Sequence, residues 1–146
     1  MHRRTVLLGL TASTILPAVP SLAAPYFINS TSAASGFDVV AYFTESRPVM
    51  GNEAISAEHD GARFLFANEA NQAAFSADPA RYAPQYGGWC AFAMAHNAQA
   101  STVPEAWSIV DDRLYLNFSL YVRENWRRDP AGFIVRADAN WPNFAA

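Results

Sequence analysis

Ala54-Ile55-Ser56-Ala57-Glu58-His59-Asp60-Gly61-Ala62-Arg63-Phe64-Leu65-Phe66 is the stretch from which the fold is read. Two arms flank Asp60-Gly61, a dipeptide whose tolerance of left-handed backbone suits a two-residue hairpin turn. The pattern recurs downstream: Trp107-Ser108-Ile109-Val110 faces Arg113-Leu114-Tyr115-Leu116-Asn117-Phe118 across Asp111-Asp112. Between the two hairpins, Asn68 can cap a helix to about Ala77, with Ala70, Ala73, Ala74 and Phe75 as its apolar stripe, and Asp78-Pro79 ends it. Arg81 to Tyr86 reads as a connecting segment. Gly87-Gly88 then precedes Trp89-Cys90-Ala91-Phe92-Ala93-Met94-Ala95-His96, a nearly all-apolar run that predicts a buried helix of two turns.

Outward from this centre, Phe37-Asp38-Val39-Val40-Ala41-Tyr42-Phe43 is β-branched and aromatic and predicts a short strand, turned by Arg47-Pro48. On the other side Ser119 opens a helix to about Arg128, Asp129-Pro130 opens a last one toward Asn140, and Trp141-Pro142 closes the unit. With 146 residues, one domain fills the chain. The order of elements predicts a small single α+β domain of antiparallel β-hairpins with several short helices.

Composition narrows the function. Hydrophobic residues make up 51% and aromatics 14%, which excludes an intrinsically disordered chain. All ten cations are Arg, against 13 acids. A chain of net charge −3 lacks the positive surface that phosphate backbones require, so no nucleic-acid partner is expected. One Cys excludes an intrachain disulfide.

The N-terminus reads as an address. Arg3-Arg4 precedes an uncharged, mildly apolar run from Thr5 to Leu16, too short for a membrane span and stopped by Pro17 and Pro20. Ser21-Leu22-Ala23 offers small residues where a signal peptidase reads. The paired arginines resemble a twin-arginine signal, the bacterial route for proteins exported already folded. Residues 1–23 are therefore expected to be a cleaved signal peptide, 24–36 a flexible lead-in and 37–146 the domain. No Cys follows the apolar run, so no lipid anchor is expected. The product would be soluble and periplasmic.

Soft and basic ligands are scarce. A structural zinc site is not expected, because no paired Cys or His at ligand spacing exists. Copper needs fewer ligands, and Cys, His and Met can serve Cu(I). Cys90 stands at a predicted helix start, where free N–H groups and the dipole favour a thiolate. The plain alternative is a small core hydrophobe. Met94, four residues on, shares its helical face, whereas His96 does so only if the helix ends first. His59 sits beside a hairpin turn. Asp38, inside an apolar segment, either caps a turn or is a buried group with a task. Tyr86, Gly87, Gly88, Trp89 and Trp107 are structural or cleft residues, since a rim of aromatics can form a small-molecule cleft. No hydrolase elbow and no paired-acid constellation is present.

Gly36 to Phe43, Asp78 to Ala91, Pro104 to Trp107, Leu114 to Asn117 and Ala139 to Pro142 together resemble the exported YHS-domain proteins, in fixed order along the chain. The better-known branch of that family is a small metal-binding module related to zinc-binding treble-clef-like modules, and the resemblance implies such a fold and a metal function. Two departures bear on this. That branch has a Cys after Asp-Pro-Val, where this chain reads Asp38-Val39-Val40 and then Ala41. It also has a Cys pair where this chain reads Ala67 to Asn71. The exported branch is similar to proteins of which some members use selenocysteine; the resemblance implies Cys90 as the matching position and, with it, a reactive thiol.

Three functions follow. The first is copper bound by Cys90 with Met94, His59 or His96. The second is a thiol redox enzyme in which Cys90 is the nucleophile. The third is a non-catalytic module that binds a small molecule or a protein.

Overall fold

The computed structural model describes residues 26–29 and 31–145. The expected signal peptide lies outside the described residues. In chain order the elements are β1 (Ile28–Asn29), β2 (Ser32–Ala33), α1 (Ala41–Thr44), β3 (Asn52–His59), β4 (Ala62–Phe66), α2 (Glu69–Ala77), α3 (Pro79–Tyr82), α4 (Ala91–Ala95), β5 (Trp107–Val110), β6 (Arg113–Leu116), α5 (Leu120–Trp126) and α6 (Pro130–Asn140). Short 3-10 turns cover Ala34–Gly36, Gln85–Gly88 and Trp141–Asn143. The strands form three two-stranded antiparallel sheets, β1–β2, β3–β4 and β5–β6, so the chain is a small α+β domain of hairpins and short helices.

Local chemistry accounts for most boundaries. Asp60 and Gly61 both take positive φ (48° and 78°), so His59 pairs with Ala62 across a tight turn. Asp111 and Asp112 do the same without a glycine (51° and 59°), pairing Val110 with Arg113. Three helices open on side-chain caps: Asn68 accepts from the Asn71 N–H at 2.8 Å, Ser119 from that of Val122 at 3.1 Å, and Asp129 from that of Gly132 at 3.0 Å.

Four segments differ from the sequence reading. Phe37 makes only an isolated bridge to Met50, and the expected strand becomes the helical turn α1. The cause is Asp38, whose carboxylate accepts from the N–H groups of Val40 (2.9 Å) and Ala41 (3.2 Å) and so bends the backbone. Residues expected as part of a lead-in belong to the fold: Ala33 and Ala34 are buried in the core, and the Tyr26 ring stands edge-on to Phe64 at 5.7 Å. The connecting segment contains α3, started by Pro79 at its first position. The predicted two-turn helix shrinks to α4, with Cys90 as its cap residue and His96 just past its end.

Two apolar clusters make the interior, and β6 divides them. Leu114 and Leu116 point into the first, with Val39, Val40, Tyr42, Phe64, Phe66 and Phe75. Tyr115, on the opposite face, joins the second with Tyr86, Met94, Trp126 and Ala137. That split is the period-two alternation of a strand with both faces covered. Among the described residues no helix is long and apolar enough to cross a membrane.

Candidate functional site

Cys90 is 1% exposed. Its Sγ–H donates to Asn117 Oδ1 at 3.5 Å, and Sγ accepts from the Phe118 N–H at 3.3 Å. Its own N–H donates to the Ala100 carbonyl at 3.0 Å, and Thr102 Oγ1 donates to the Gly88 carbonyl at 2.7 Å, so the loop after α4 is tied down around it. Burial pushes the thiol above its ordinary value of 9.0, while the N–H groups of Ala93, Phe118 and Phe92 pull the other way and are outweighed. This reverses the expectation of a thiolate favoured by a helix start. The physical reason is size: α4 has five residues, too few for a strong dipole, and the sulfur is out of water.

The other candidate ligands lie in two places, Met94 and His96 along α4 after Cys90 and His59 on the first hairpin. Met94 follows Cys90 by one turn, its N–H donating to the Cys90 carbonyl at 2.9 Å, and its side chain is fully buried in the second cluster. His96, at the far end of α4, packs its ring on Phe92 (4.7 Å) and Phe133 (6.2 Å). His59 lies on the first hairpin, its ring against Phe75 at 5.9 Å and Nε2 at 3.3 Å from Asp60 Oδ2. Among the described residues, no three of His, Cys, Asp and Glu are grouped so as to hold a metal.

Asp38 is fully buried and saturated. Besides Val40 and Ala41, it accepts from the Ala67 N–H at 2.9 Å and Asn71 Nδ2 at 2.8 Å, tying α1 to the β4–α2 junction. Tyr86 and Gly87 take positive φ (58° and 62°) and with Gly88 (82°) form the turn into Cys90. Tyr86 donates to Asp138 Oδ1 at 2.8 Å. The Trp89 and Phe27 rings meet at a tilt of 50°, centroids 5.1 Å apart. Tyr86 and Gly87 meet His59 around a cleft of about 260 Å³.

Trp107 occupies a different place. It lies on β5, in a two-stranded sheet, and lines a cleft of about 470 Å³. The size falls within the range of small-molecule sites. Tyr42 and Phe43 of α1 form one wall, with the Tyr42 and Trp107 ring centroids 5.5 Å apart. Tyr42 is fixed by donating its hydroxyl to the Pro104 carbonyl at 3.0 Å. Arg127, at the end of α5, reaches in and donates from Nε to the Ser108 hydroxyl at 3.2 Å. Arg81 of α3 lines the same cleft and pairs with Asp112 of the hairpin turn, Nε to Oδ2 at 3.1 Å. Trp126 is also a lining residue, fully buried, and its indole N–H has no acceptor among the described residues.

Sequence reasoning passed over four residues here: Tyr42, Arg81, Arg127 and Asn117. The arginines carried a signal, being among ten cations in a chain without lysine. Asn117 carried one too, as an amide ending the Leu-Tyr-Leu strand. It is fully buried, accepts from the Phe92 N–H at 3.0 Å, and leaves Nδ2 without a partner among the described residues.

Comparison of the chain with protein-family models, curated proteins and solved structures finds no match.

Proposed function

We propose that this is an exported, periplasmic YHS-like domain that acts as a binding module, holding a small organic molecule in the cleft beside β5. The observation that carries the reading is the cleft itself: about 470 Å³, lined by Tyr42, Phe43 and Trp107 and by two arginines, Arg81 and Arg127. Apolar walls with a few placed polar groups are what a small-molecule site requires. The walls come from α1, β5 and α5, and side chains on the first two are held by hydrogen bonds or burial, so the shape exists before a ligand arrives.

The test is a fragment screen on isotopically labelled protein, read by amide shifts. Shifts gathered on Tyr42, Trp107, Ser108 and Arg127 are expected. Shifts scattered over the surface, or gathered around His59 and Tyr86, would remove this reading.

A second reading, thiol chemistry at Cys90, is favoured by one observation: the Phe118 N–H donates to its sulfur at 3.3 Å. It requires an opened form, since burial keeps the thiol protonated. His59 and His96 pack their rings on phenylalanines, Phe75 and Phe92.

A further inference from the structure

We infer that the ligand of this cleft is a small aromatic carboxylate, its ring against the half-buried Trp107 and Phe43, which Tyr42 backs from the core, and its anion taken by Arg127 and Arg81. The inference rests on the reading of the cleft as a ligand site and adds its chemical class. The chain as a whole is acidic, with 13 carboxylates against ten arginines. The cleft reverses that balance, since Arg81 and Arg127 line it with a single carboxylate, Asp112.

Arg127 keeps free donors, whereas Arg81 meets both oxygens of Asp112, Nε to Oδ2 at 3.1 Å and Nη2 to Oδ1 at 3.5 Å. Arg127 is oriented by Ser108, which is itself 5% exposed, and meets Glu124 with only one terminal nitrogen, at 3.5 Å. Its planar fork therefore keeps donors for a carboxylate, which guanidinium binds in bidentate fashion. Arg81 is held by Asp112 in a pair whose side chains are 47% and 63% exposed. An exposed pair contributes little in water, so a ligand carboxylate can replace Asp112 at small cost. The buried indole N–H of Trp126, behind the lining, has no acceptor among the described residues. With donors in excess and aromatic faces beside them, the complementary molecule has a π-surface and one negative charge.

The probes are 2-naphthoate and its neutral isostere 2-naphthamide, titrated calorimetrically into the purified protein. Naphthoate is expected to bind about tenfold tighter or more, the usual worth of a charged hydrogen-bonded contact. Arg127→Gln should narrow the preference for naphthoate over naphthamide severalfold, with an unchanged thermal melt showing that the variant is folded, and an undiminished preference overturns the role of Arg127. Asp112→Asn, which releases Arg81, should tighten naphthoate alone. Equal affinity for acid and amide overturns the carboxylate assignment and leaves the cleft a ligand site. Failure of both to bind overturns the cleft reading with it. Inorganic phosphate competing as well as naphthoate would show that the cleft reads charge without a ring, and would overturn the aromatic half of the inference.

Discussion

Cys90 feels two opposed forces, the loss of water that disfavours a thiolate and the amide N–H groups that favour one, and burial wins. Native protein at pH 7 should therefore react with a thiol-alkylating reagent far more slowly than unfolded protein, and fast labelling without denaturant would contradict the buried geometry. The sign of its pH linkage follows: the folded-state pKa is raised, so the contribution is complete below the unfolded value near 9.0 and is lost as pH rises through the folded one. Asp38 acts differently, through saturation. Removing its carboxylate in Asp38→Ala strands the N–H groups of Val40, Ala41 and Ala67. A loss of about 3 kcal/mol or more in urea unfolding is expected, while Asp38→Asn, which keeps one oxygen, should lose less. The sequence offered both roles as alternatives, a core hydrophobe for Cys90 and a turn cap for Asp38, without their distant partners. An aspartate between Phe37 and Val39 announces only that something must satisfy it, and its partners at Ala67 and Asn71 lie about thirty residues away, on segments that only folding brings near.

At the scale of elements, caps and turns were read correctly because their causes are local. Ser119, Asn68 and Asp129 each sit within three residues of the N–H they accept from. Ser119→Ala should cost about 1 kcal/mol by removing the α5 cap, measured as a shift in the unfolding midpoint. Because α5 positions Arg127, the same variant should also weaken any ligand of the cleft. The strand expected over Phe37 to Phe43 failed for the opposite reason. Its β-branched and aromatic residues favour extension, but two hydrogen bonds to Asp38 bend it into α1, and the Tyr42 hydroxyl is held by Pro104, 62 positions on. The short α4 likewise reflects tertiary anchors. Cys90 is held by Ala100 and Phe118, and this capping position, not its apolar flanks, decides where the helix starts.

The whole molecule titrates in one direction at high pH. Tyr26 is pushed up to about 12, first by burial and then by Asp60; Tyr42, Tyr86 and Tyr115 are also raised, chiefly by burial, as is Cys90. All five are more easily ionised in the unfolded chain than in the folded one. Stability should hold through neutral pH, then fall as pH rises past the unfolded thiol and phenol values of 9.0 and 10.0. Thermal melts from pH 7 to about 11 would show this limb, and Tyr86→Phe should make it shallower by removing one group. A melting temperature flat across that range would contradict the burial of these groups. The sequence by itself determined the α+β class, the two main hairpins and the capped helices, because turn chemistry and capping act over two to four residues. It could also nominate Cys90 and Trp107 as residues to watch. Only the tertiary structure decided that Cys90 is covered and that Arg81, Arg127 and Tyr42 surround Trp107, because solvent exclusion and the meeting of distant segments are properties of packing. Burial then sets the sign of every resolved pKa shift, and no local pattern of residues encodes burial.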